Sequence, residues 1–200
     1  MTSEPIRDPR TDHLLTPENC VLAIIDYQPI QVQSMKSMPR DELVDNAVRV
    51  ARTAVTFDVP IVLSTVNVRS GLSKPTIPEL TSVLPDAEPI DRTTVNSWED
   101  TDFRSAIEAT ERKKIVMIAL WTEVCLAFPL LDAMRQGFEA YPIVDAVGGT
   151  SEKAHLAGLE RLMLASAQPV SWVQFAFELQ RDWSRTATAD AVRDIVFAKS

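Results

Sequence analysis

Three reactive side chains stand at the ends of short apolar runs in this 200-residue sequence. Cys125 follows the run "KKIVMIAL" (113–120) after the short stretch "WTEV", where a helical pattern begins. A cysteine in the first turn of a helix meets the positive end of the helix dipole and unpaired backbone N–H groups, which stabilise a thiolate. The "LWTEV" stretch could also aim backbone N–H groups at a developing oxyanion. Asp26 ends the run "CVLAIID" (20–26). A carboxylate beside a thiol can take its proton, but its charge also raises the thiol's pKa, so a cation is needed nearby. Arg92, at the exit of a third run, can supply it; arginine pairs and polarises but does not shuttle protons. Each residue also has a plain structural reading: a buried inert thiol, a loop acid and a surface or helix-capping arginine.

These three residues meet only if the elements before them lie side by side. "CVLAIID" and "KKIVMIAL" read as buried parallel strands, the second a central one, and "PIVLSTVNV" (60–68) as a β-branched strand between them in sequence. "PIDRTTV" is a short third strand or its exit loop, and "FEAYPIVDA" (138–146) a further strand. Between them, Leu43, Val44, Ala47, Val48, Ala51, Ala54 and Val55 repeat at helical spacing behind Asp41 at the N-cap position. "WEDTDFRSAIEAT" carries acids in its first turn. A helix is expected from about Glu123 to Gln136, stopped by Gly137, and another behind Thr150 or Ser151. An amphipathic helix from about Thr188 closes the chain, and the proline-rich 69–92 connection holds at most a short helical turn. Strands alternating with helices predict a three-layer α/β/α fold with a mostly parallel central sheet, spanning residues 1–200 as a single domain with residues 1–18 as an N-terminal extension. In such sheets ligands bind beyond the carboxyl ends of the strands, where Asp26, Arg92 and Cys125 fall.

Composition narrows the function classes. A net charge of -8 with no basic run argues against nucleic acid or an anionic membrane as partner. The first twenty residues lack an apolar signal core, and no apolar stretch has the roughly 18 residues of a membrane span. The two cysteines, Cys20 and Cys125, form neither a disulfide framework nor a CxxC site. A cytoplasmic protein is therefore expected. Cys20, at a strand start, falls at the opposite edge of the sheet and reads as structural.

"LAIIDYQ", "RTTVNSWEDTDF" and "IALWTEVCLAFPLLDAMRQGFEAYPIVDAVGGTSEKAH", with "PVSW" and "ELQRDW" later, resemble the isochorismatase-like cysteine hydrolase superfamily. The resemblance runs from about residue 20 to 183 and is closest to a branch of small uncharacterised hydrolases. It implies Asp26 as general base, Cys125 as nucleophile, and Arg92 where most of the family has lysine. It also implies an oxyanion hole from the backbone N–H groups of Trp121 and Cys125, with a cis peptide bond between Leu120 and Trp121, a rare feature outside proline. A homo-oligomer of several subunits follows from the same resemblance.

Two departures shape the expected activity. Family nicotinamidases hold a metal through a D-x-H pair and a further histidine, whereas this chain has only His13 and His155 and "TVNVRSG" lacks such a pair. No metal and no cofactor are therefore expected. Isochorismatases proper replace the cysteine, so retention of Cys125 points to acyl chemistry at an amide, carbamoyl or related C–N bond of a small-molecule substrate. The competing readings are a non-catalytic small-molecule-binding or scaffold protein of the same fold, and a nucleotide-binding α/β enzyme. Five glycines and the lack of a phosphate loop weigh against the latter. "VGGTS" reads as a tight turn before a helix, and Thr122 and Glu123 as helix-capping neighbours of the nucleophile. Trp98 and Trp121 are candidate pocket walls, with core packing equally open for Trp98 and for Trp172.

Overall fold

The chain places its longest apolar runs in the middle of one parallel sheet. In the computed structural model, which describes residues 7–197, β1 (Cys20–Ile25) and β4 (Lys114–Ala119) are buried at all their residues. β1 pairs in parallel with β4 on one side, Ile25 opposite Ala119, and with β2 (Ile61–Val66) on the other. β3 (Ile90–Arg92) extends the sheet beyond β2, and β5 (Glu139–Pro142) beyond β4. The order is thus β3-β2-β1-β4-β5, with every pair parallel. The last strand is shorter than expected. Pro142 has no N–H to donate, and past it one isolated bridge joins Ile143 to Val170.

The helices follow from apolar spacing. α1 (Pro29–Ser34) is a short turn after β1 that no periodicity announced. α2 (Arg40–Thr56) buries Leu43, Ala47, Val50, Ala51 and Ala54, one face of a regular helix. It begins two residues earlier than expected, with Pro39 at the cap position and Asp41 inside the first turn, where its charge still suits the helix dipole. α3 (Pro78–Thr81) interrupts the long connection. α4 (Thr101–Glu108) is capped by the Asp100 side chain, which accepts from Phe103 N at 2.9 Å. The helix expected from Glu123 divides into a π-type turn, Thr122–Leu126, and α5 (Ala127–Arg135). Gly137 then takes φ +88°, a conformation that suits glycine at a helix end. α6 (Glu152–Leu164) is capped by Ser151, α7 (Trp172–Gln180) by a reciprocal Ser171–Gln174 pair, and α8 (Thr186–Phe197) follows.

α2, α7 and α8 pack together as one layer, and α4, α5 and α6 form the other. This is the arrangement that right-handed crossovers in opposite directions from β1 and β4 require. Residues 1–6 of the expected extension lie outside the described residues. The part from Arg7 onward docks on α7: Leu15 N donates to Glu178 Oε2 at 2.6 Å, and Asp12 pairs with Arg181 at 3.1 Å. Among the described residues no helix is long and apolar enough to cross a membrane.

Candidate active site

The strand order reverses between β1 and β4, the switch point at whose carboxyl ends sheets of this kind form a crevice. Asp26 leaves β1 there with φ 61°, a left-handed conformation that aspartate tolerates better than most residues. Its backbone N–H donates to Ser64 O at 3.0 Å, which ties the turn to β2. Arg92 ends β3, two strand spacings (roughly 9.6 Å) from β1. Its side chain crosses the end of β2, and Nη2 donates to Asp26 Oδ2 at 2.6 Å. Nη1 donates to the Thr94 carbonyl, so the guanidinium is held at both ends of its fork. Cys125 comes from the π-type turn after β4, and its thiol lies beside the Asp26 carboxylate. The three sequence-selected residues therefore converge. Their exposures, 1 % for Asp26, 2 % for Arg92 and 8 % for Cys125, leave Cys125 as the most accessible of them.

Burial dominates the electrostatics. It raises the Asp26 carboxyl above its ordinary value, against the opposing charge of Arg92 and the hydrogen bond from Cys125. Burial likewise pushes the Cys125 thiol up to about 12, reinforced by the charge of Asp26; Arg92 and the Trp121 backbone N–H act in the other direction. Asp26 Oδ1 and Arg92 Nε are buried without a well-formed hydrogen bond, so the polar cluster retains free capacity. Burial and the Asp26 charge thus favour the protonated form of a thiol that stands next to the Asp26–Arg92 pair.

The loop that carries Trp121 and Cys125 is held from several sides. The Leu120–Trp121 peptide bond is cis, in agreement with the resemblance. Trp121 Nε1 donates to Ser34 Oγ of α1 at 2.9 Å. Thr122 N donates to Gly148 O at 2.9 Å, and Thr122 Oγ1 hydrogen-bonds His155 Nδ1 of α6 at 2.9 Å. Glu123 Oε1 accepts from Thr150 N at 3.0 Å and from Thr150 Oγ1 at 2.6 Å. Thr122 and Glu123 therefore do not cap a helix; they lash the loop to the start of α6. The glycines of "VGGTS" make this possible, since a Cβ on Gly149 would stand 2.6 Å from Glu123 Oε2. No periodicity could single out His155, because a lone histidine on a helix reads as ordinary packing.

Trp98 does not join this crevice. It is 2 % exposed and packs edge-on against Phe103 and against Phe138, which immediately precedes β5 at the amino-terminal edge of the sheet. Its bulk packs in the core, the second of the two readings its sequence position left open. Trp121 is partly exposed at the crevice. Cys20, fully buried at the start of β1, donates to Thr16 O at 3.1 Å and is structural. His13 precedes β1 and His155 sits beside the crevice, so the two histidines lie at opposite edges of the sheet.

Residues 20–174 match the isochorismatase domain. The chain belongs to that family. Within the isochorismatase family it is 32% identical over 170 residues to the probable hydrolase YcaC of Escherichia coli (strain K12), a match covering 84% of this chain and 81% of YcaC. The structure of YcaC from Pseudomonas aeruginosa, with hexane-2,5-diol and covalent acrylamide, superposes with a TM-score of 0.86 at 29% identity, covering 94% of this chain and 93% of that one. YcaC from Escherichia coli, described as an octameric hydrolase of unknown specificity, also gives 0.86 at 29% identity, covering 93% and 92%. The isochorismatase frame thus extends over nearly the whole chain.

Proposed function

We propose that the protein is a metal-independent cysteine hydrolase that cleaves a small amide, carbamoyl or related C–N bond through a thioester. The observation that carries this reading is the buried contact of Asp26 with both Arg92 and the Cys125 thiol at the switch point of the sheet. Asp26 accepts the Cys125 proton as sulfur attacks the carbonyl carbon. The oxyanion rests on the N–H groups of Trp121 and Cys125, the C–N bond breaks, and Asp26 returns the proton to the leaving amine. Water then attacks the thioester, with Asp26 taking its proton and returning it to sulfur as the acid departs. Arg92 keeps Asp26 ionised enough to act as base, offsetting the effect of burial.

Separation of the two histidines supports the metal-free part of this reading, and the covalent acrylamide held by the Pseudomonas relative supports a site that admits small amide-bearing molecules. The reading includes a homo-oligomer in the cytoplasm. The octameric Escherichia coli relative and the exposed Leu156, Met163 and Leu164 on α6 support a self-associating surface. Neither nucleic acid nor membrane is a partner in this reading.

The test is a screen of small primary amides and carbamoyl compounds for ammonia release, followed by mass spectrometry of the quenched enzyme. An acyl adduct on Cys125 and loss of turnover in Cys125→Ala are expected. Turnover that survives Cys125→Ala or Asp26→Asn would sink the mechanism. Light scattering on the eluting protein checks the oligomer, and a monomer at working concentration would remove that part.

A further inference from the structure

Thr122, Glu123 and Val124 are the only residues between Trp121 and Cys125, the two assigned above to the oxyanion hole. Two of the three have side chains fixed to a single element outside the loop. Thr122 Oγ1 meets His155 Nδ1 at 2.9 Å, and Glu123 Oε1 takes two hydrogen bonds from Thr150, just before α6. A third contact needs no side chain. Gly158, one turn beyond His155, lies so close that a Cβ there would come within 2.9 Å of Glu123 Cα and 3.1 Å of Glu123 N. The backbone between the two donors is therefore clamped against α6 at consecutive residues.

An oxyanion hole works only when its donors are spaced for the tetrahedral oxygen rather than for the ground-state carbonyl. A displacement of about 1 Å can cost roughly a hundredfold in rate. The π-type turn has no cap of its own, since Trp121 at the cap position has no side-chain bond to the turn. Its spacing must come from what it packs against.

We propose that α6 sets the oxyanion hole, with His155 and Thr150 as positioning residues acting through Thr122 and Glu123. This rests on the cysteine-hydrolase reading. The thiol's nucleophilicity comes from Asp26, Arg92 and its own surroundings, whereas stabilisation of the oxyanion depends on the brace. The two can be separated with two probes: iodoacetamide, whose displacement reaction forms no oxyanion, and p-nitrophenyl acetate, whose acyl transfer passes through one.

The experiment follows modification of Cys125 by peptide mass spectrometry in the full-length protein with each probe. His155→Leu and Thr122→Val are expected to slow acetylation about tenfold to a hundredfold, while alkylation stays near the wild-type rate. His155→Asn, which keeps a polar atom near the Nδ1 position, and Thr122→Ser, which keeps the hydroxyl, are expected to restore most of the acetylation rate. These conservative variants keep the test decisive should a leucine or valine variant fail to fold. Both probes slowing together in a folded variant, or neither changing, would overturn the brace. A wild-type protein that forms no acetyl-Cys125 would instead remove the hydrolase reading first, and the brace with it.

Discussion

Arg92 Nη2 lies 2.6 Å from Asp26 Oδ2, and neither side chain is more than 1% exposed. A charge pair this deep is costly to bury and costlier to break, because a surviving partner would stand unpaired in the interior. The neighbouring Cys125 thiol feels both charges, Asp26 raising it and Arg92 lowering it.

Asp26→Asn should have two opposite effects. The Asp26 charge holds the Cys125 thiol up, while Arg92 pulls it down. Removal of the carboxylate should bring the thiol below about 12 and speed its alkylation at neutral pH. Turnover of any amide substrate should nevertheless fall by roughly 10²–10⁴, the usual contribution of a general base. A pH series of alkylation beside a substrate assay reads both. Slower alkylation in this variant would contradict the assigned electrostatics.

Arg92→Met should destabilise the fold by about 3–5 kcal/mol, the range for a buried pair broken on one side. Arg92→Lys keeps the charge but not the fork that binds both Asp26 and the Thr94 carbonyl, and should retain more than half of that stability. Urea denaturation measures the difference. Equal stability of the two variants would show that charge is not what the site requires.

Stability should decline in alkali, starting with the two buried thiols. Burial lifts both Cys20 and Cys125 from 9.0 to about 12. Between those values the unfolded chain has released protons that the folded chain retains, so stability falls as pH rises, by up to about 1.4 kcal/mol per pH unit for each thiol. Cys20→Ala should roughly halve the slope between about pH 9 and 10, before the buried Tyr27 and Tyr141 hydroxyls, also raised, add to the decline. Denaturation midpoints at several alkaline pH values test this, and an unchanged slope would count against a buried, protonated Cys20.

Gly158→Ala sets two effects against each other. Alanine gains up to about 1 kcal/mol of helix propensity. Its Cβ, however, would stand 2.9 Å from the Glu123 backbone, which cannot swing aside as a flexible side chain would. Overpacking of this kind costs about 1–3 kcal/mol, so the clash should prevail. Thermal melting should show net destabilisation, and acetylation of Cys125 should slow as well.

The sheet was legible because parallel strands buried on both faces are written as unbroken apolar runs: "CVLAII" and "KIVMIA" could be little else. Asp26, Arg92 and Cys125 were legible for a related reason, as reactive residues where those runs stop. What escaped was set by tertiary contact. Nothing local distinguishes a π-type turn at Thr122–Leu126 from the first turn of α5. Thr122 and Glu123 have the residue types of helix caps, and only the approach of α6 diverts them. Trp98 sits in a polar stretch that reads as a loop, yet Phe103 and Phe138 draw it into the core.

The strand order also fixes a sequence of events during synthesis. Asp26 and Arg92 are translated long before Cys125, and β1, β2 and β3 can pair as soon as they emerge. At that stage the flank of β1 later taken by β4 is an open edge, the kind that invites pairing with other chains. Arrival of residues 114–119 closes this edge and delivers the thiol together. A nascent chain therefore passes through a stage with this edge open before the Cys125 sulfur arrives, and a truncated one ending near residue 112 would hold the Asp26–Arg92 pair without the thiol.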